Sequence, residues 1–228
     1  MREYPWHQRK ALLKHHRWFR NLLDFHDITR AWVTAGELDL ASNPFLSEDL
    51  KLLESISDVR LEMLLDDTST EDLLGRLEHS VWAVQGWTYQ MLKDPAQPSL
   101  MKILEQTTFI RGKAVAEQRW SRIGKPLRKD LRAIFLTLVD SPMSLSLGED
   151  AFLLKRGLAD DVEFEFRACP HAIHFAGEVA GASDLCALHS TWIQGYVLGM
   201  NGNAQIEYIP RTHEGMRCTH HWRLTEEK

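Results

Sequence analysis

The chain of 228 residues is 44% hydrophobic with a formal net charge of −5. That is apolar enough for a substantial core and not basic enough to favour a nucleic-acid partner. No apolar run approaches the roughly 18 residues of a bilayer-spanning helix, and the charged start MREYPWHQRK lacks the apolar centre of a secretory signal.

Three cysteines in a chain without an export signal point to reduced thiols in a cytoplasmic, bacterial-type protein rather than a disulfide framework. In chain order, residues 5–35 read as one long helix, with Pro5 in its first turn and Leu12, Phe19, Leu22, Leu23, Phe25 and Ala31 at helical spacing. Gly36 stops it, and His15, His16 and His26 read as packing or surface residues beside an aromatic stripe. Ser47, followed by Glu48 and Asp49, opens a helix to about Leu65. Thr70 caps another that reaches about Lys93 and is rich in aromatics around Trp82 and Trp87. The two prolines of DPAQPS (94–99) mark the boundary between a helical region, 1–95, and the remainder, 100–228, which together also suit one continuous domain.

A helix from Leu100 to Arg122 places Gly112 where close helix approach is useful, and Leu127–Val139 is a further amphipathic helix. Then the period changes. Val162, Phe164 and Phe166 alternate with Glu163, Glu165 and Arg167, the clearest strand in the chain, ended by Cys169-Pro170. Asp184 caps a helix through about Met200. Residues 204–211 and 216–224 form paired strands. Helices first and a small antiparallel sheet with packed helices afterwards is an α+β fold.

All three cysteines (Cys169, Cys186, Cys218) and six of the eleven histidines fall between Cys169 and Trp222. Strand phasing puts Cys218, His220 and Trp222 on one face and Arg217, Thr219, His221 and Arg223 on the other, while Cys186, His189 and Ile193 share a helix face beside Trp192. If that helix packs on the face carrying Cys218, the cysteines approach one another. A thiolate beside a histidine is a nucleophile, which makes Cys186 with His189, and Cys218 with His220, candidate catalytic pairs. Cys169, Trp192 and Trp222 are candidate lining, while Arg211, Arg217 and Arg223 are candidate carboxylate anchors or, as the better reading for most of them, solvated residues that suppress edge pairing. Glu165 and Glu207 are candidate bases. No metal is the first expectation. The alternative is zinc on Cys169, His171, His174 and Cys218. For every cysteine, plain packing competes with chemistry.

The succession RGKAVAEQRW, a strand ending in Cys-Pro, a helix with a Leu-Cys pair, EYIPRTHEG and GMRCTHHWRL resembles the L-2-amino-thiazoline-4-carboxylic acid hydrolase-like family. It is also similar to 4-vinyl-reductase-type small-molecule-binding domains. The likeness covers roughly residues 100–224 and rests on short motifs. It implies a small-molecule pocket between sheet and helices and, for the hydrolases, opening of a cyclic C–N or C–S bond. The matching positions are Cys169 with Pro170, Cys186, Arg211 with Thr212, and Gly215 with Cys218, whereas His220 and His221 depart from the pattern.

The readings that follow are a hydrolase acting on a cyclic thiazoline-like or amidine-like amino acid, and a non-catalytic sensor domain that binds a small molecule or metal. A scaffold using the eight tryptophans is a third. The expected partner is a small molecule, with neither nucleic acid nor membrane, and a homodimer through the aromatic helices is an open expectation.

Overall fold

Apolar side chains three and four residues apart define the first helix, α1 (Trp6–Ala35), which buries Leu22, Phe25, Ile28 and Trp32 along one stripe. The structure, a computed structural model, describes residues 6–58, 67–92, 98–120, 130–167, 182–209 and 218–225. Helix α1 ends where expected, but the left-handed residue is Glu37 (φ 51°), not Gly36. The Gly36 amide still closes the last turn on the Trp32 carbonyl at 2.8 Å.

Helix α2 (Ser47–Glu54) is shorter than its sequence suggests and passes into a 3-10 turn at Ser55–Asp58. Glu48 and Asp49 sit in its first turn, where the helix dipole favours acids. Helix α3 (Asp67–Leu92) already includes Thr70, which is buried inside the helix rather than capping it. Helix α4 (Pro98–Trp120) has its proline in the first turn, where a missing N–H costs nothing. Helix α5 (Leu131–Leu138) starts later than its amphipathic pattern, because Asp130 caps it by accepting from the Ala133 amide at 3.0 Å. Helix α6 (Ala182–Met200) contains Asp184 in its first turn.

Strands β1 (Phe152–Gly157) and β2 (Asp161–Phe166) form a hairpin, and β3 (Ala204–Ile209) and β4 (Thr219–Leu224) form a second antiparallel pair. Antiparallel pairing of β2 with β4 joins them into one sheet of order β1-β2-β4-β3. One face is apolar, with Phe152, Val162, Phe164, Ala204 and Trp222 buried on it. The other carries Glu163, Glu165, Glu207, His221 and Arg223, the alternation of a half-buried antiparallel sheet.

Helix α5 lies on the apolar face. Its Phe135 ring sits 5.0 Å from Phe164, 6.0 Å from Phe152 and 6.3 Å from Trp222, centroid to centroid. Helix α6 packs chiefly along α4, with a smaller contact to β3. That crossing is closed by glycines: a Cβ on Gly112 would overlap the Trp192 carbonyl, and one on Gly195 the Phe109 carbonyl. The close approach expected at Gly112 is therefore real, and α6 answers it with Gly195.

Helix α1 packs on α3 and α4, and α2 on α3. The Trp32 indole donates to Thr108 Oγ1 at 2.9 Å, tying α1 to α4. One apolar cluster runs from Leu22 through Tyr196 to Trp222, so the helical layer and the sheet share a core. Among the described residues no helix is long and apolar enough to cross a membrane.

Candidate functional site

Alternation along β4 turns Cys218, His220 and Trp222 to the buried face and His221 and Arg223 away from it, as the phasing predicts. Register then chooses the neighbours of His220. It lies opposite Phe164 of β2 and Tyr208 of β3. Its imidazole stacks on the Phe164 ring at 5.1 Å with only 7° between planes, and the Tyr208 and Phe166 rings lie 5.0 Å and 5.8 Å away.

Burial in this aromatic setting drives the His220 pKa down to about 3, so the ring is neutral near pH 7. Its Nδ1 is buried with no hydrogen-bond partner among the described residues, and so is the Trp222 indole nitrogen next to it on the face. Tyr208 donates its hydroxyl hydrogen to Cys218 Sγ at 3.6 Å. The result is an aromatic box with a thiol, a neutral imidazole and an indole N–H.

His189 belongs to a different neighbourhood. Helix α6 turns it towards α3 and α1, where its Nε2 lies 3.1 Å from Gln85 Oε1. Phe25 and Trp82 pack on it edge-on, at 5.5 Å and 5.9 Å. Burial lowers its pKa to about 3 as well. In the Nε2–H tautomer this ring donates to the glutamine oxygen, which satisfies it without a ligand.

Cys186, one turn earlier on α6, is partly exposed, and neither it nor Cys218 is in a disulfide. Trp192 stacks on Tyr196 at 5.1 Å and 12° within α6, while Trp222 belongs to the sheet face, against Phe164. The set of side chains that phasing suggested for one site thus divides into an α6 group at His189 and a β4 group at His220. The reason is that α5, not α6, supplies the aromatic cover of the sheet.

Three further candidates, Arg223, Glu165 and Glu207, lie on the outer face of the sheet. Arg223 lies on the outer face with its Nε 3.0 Å from the His221 ring, which itself meets Asp161 Oδ1 at 2.7 Å, so it cannot hold a substrate at His220. Glu165 and Glu207 point the same way, Glu165 towards Lys155 at 3.4 Å, and are not bases for the buried face. Cys169, His171, His174, Arg211 and Arg217 lie outside the described residues. Among the described residues no cluster of three or more His, Cys, Asp or Glu side chains is arranged to hold a metal.

Sequence reasoning missed Tyr208 and Gln85. Tyr208 was reachable, because it alternates with Ala204 and Ile206 and so shares their face. Gln85 carried no signal, being one of many polar residues in α3. No family model, curated protein or solved structure matches the chain.

Proposed function

We propose that this chain is a small-molecule-binding protein whose ligand engages the aromatic box on the buried face of the sheet. The observation that carries the reading is the buried His220 Nδ1, which has no partner among the described residues. Buried polar atoms in folded proteins are nearly always hydrogen-bonded, so an orphan beside a second orphan, the Trp222 N–H, asks for a polar group from outside. Neutral imidazole suits a hydrogen bond to an uncharged or anionic ligand without introducing a buried charge. A planar ligand would stack as His220 itself stacks on Phe164. The motif order resembles that of 4-vinyl-reductase-type binding domains, and on that resemblance Cys169 and Arg211, outside the described residues, are proposed to complete the site.

The hydrolase is the second reading. It is favoured by the Tyr208 hydroxyl aimed at Cys218 Sγ, a contact that stabilises a thiolate. Cys218 or Cys186 would then be the nucleophile. Proton transfer by His220 or His189 near pH 7 is disfavoured, since both pKa values lie near 3 and a general base works best close to the operating pH.

Calorimetric titration with 2-amino-thiazoline-4-carboxylate and a panel of small planar heterocycles separates the readings. The binding reading expects saturable heat, no chemical change in the probe, and loss of at least about ten-fold in affinity in His220→Phe. A product heavier by one water and absent with Cys218→Ser would instead establish the hydrolase. Equal affinity of wild type and His220→Phe for every probe that binds removes the aromatic box from consideration.

A further inference from the structure

A cavity of about 710 Å³ opens between α1, α2 and α3, lined by none of the residues of the aromatic box. Its size is that of a small-molecule site, for which roughly 300–1,000 Å³ is usual. Leu53, Ile56 and Val84 form a buried apolar floor, and Leu23, more than a third exposed on α1, forms a wall. An apolar surface of this kind left open to water is a recurrent mark of a binding site.

The polar groups are few and placed one helical turn apart. Arg30 lines the cavity, is exposed, and makes no ion pair with any described acid. His26, four residues earlier on the same face of α1, has a buried Nδ1 with no partner among the described residues. Burial, then the neighbouring Arg30 charge, hold the His26 pKa below its ordinary value, so the ring offers a hydrogen bond rather than a second charge. Asp27 is already engaged by Arg111 at 2.9 Å. The hydroxyls of Thr29 and Thr34 are turned back onto α1 carbonyls. Glu54 lines the α2 wall, and the floor of Leu53, Ile56 and Val84 offers only apolar atoms to a second anionic group.

We infer that this cleft binds a monocarboxylate with an apolar tail, its carboxylate on Arg30 and His26 and its tail on the Leu53, Ile56 and Val84 floor. A guanidinium fork matches a carboxylate by paired N–H···O bonds, and the imidazole supplies a third. This site is separate from the aromatic box and does not depend on it.

The test is isothermal titration of the full-length protein with octanoate, its uncharged counterpart octanol, and the dicarboxylate suberate. Octanoate is expected to bind saturably at one site, with octanol weaker by about ten-fold for want of the charge-assisted contact, and suberate weaker by a similar factor because its second carboxylate would be desolvated against the apolar floor. Arg30→Gln should weaken octanoate to a similar degree, and Ala41→Trp, which fills the cleft from its rim, should abolish binding. Both positions are exposed, so both variants keep the fold. His220→Phe should leave octanoate affinity unchanged. Absence of saturable heat with the wild type, octanol binding as tightly as octanoate, or unchanged affinity in either cleft variant overturns the inference.

Discussion

His189 and His220 are both buried histidines, both neutral, and both set among aromatic rings, yet their surroundings give them opposite standing. His189 has Gln85 at 3.1 Å, supplied by α3, and lies between Phe25 and Trp82. His220 has Phe164, Phe166 and Tyr208 around it and an Nδ1 that no described residue satisfies. Burial and a depressed pKa are therefore common to both rings. What differs is the ring's own hydrogen bonding, present at His189 and absent at His220 Nδ1 among the described residues.

The harshest way to probe this difference leaves both rings in place. Gly195→Val puts side-chain atoms into the Phe109 carbonyl and pushes α6 off α4, displacing His189 while leaving the β4 register alone. A loss of about 3 kcal/mol or more in urea unfolding is expected, since the obstacle is backbone rather than a movable side chain. If that variant unfolds with wild-type midpoint, the tight crossing does not hold the helical layer.

Gln85→Leu comes next. It leaves His189 Nε2 buried without its acceptor and should cost about 1–3 kcal/mol. The double variant Gln85→Leu/His189→Leu should lose less than the two single losses added together, and strict additivity in the cycle would show the pair uncoupled.

Acid reaches both histidines together. Each has a folded-state pKa near 3 against an unfolded value near 6.5. Between those values the unfolded chain binds more protons than the native one, so stability is fully present above about pH 6.5 and falls as pH drops towards 3. Each ring should remove about 1 kcal/mol between pH 7 and pH 5.5. Denaturant midpoints at the two pH values check this: His189→Leu and His220→Phe should each lessen the acid loss by that amount, and variants that lose as much as wild type contradict it.

The smallest effect belongs to His220→Phe at pH 7. It deletes an unsatisfied polar atom and keeps an aromatic ring, so stability should stay within about 1 kcal/mol of wild type or rise. A drop as large as that of Gln85→Leu would make His220 a structural residue like His189 and erase the contrast.

Local pattern accounts for what could be read without coordinates. The alternation at Val162, Phe164 and Phe166 defines β2, and the same period assigns His220 and His221 to opposite faces. Gly112 announces a close helix contact because nothing else in α4 asks for a glycine. What stayed hidden was long-range. Gln85 meets His189 only because α3 and α6 are neighbours, and no spacing within either helix says so. Phasing the helix at Cys186 against β4 could not say whether α6 covers the sheet face, and α6 packs chiefly along α4. A short helix, α5, with Phe135 at its centre, took that position. Capping was misread at Thr70 for a similar reason: a residue that caps well is also tolerated inside a helix when packing favours it.

The strand order carries a kinetic consequence. The two hairpin-like pairs, β1 with β2 and β3 with β4, are nearby in the chain, but β2 meets β4 only across the whole of α6. Closing so long a loop is entropically slow relative to local pairing. The β2–β4 ladder should therefore form last in refolding, and with it the stacking of His220 on Phe164.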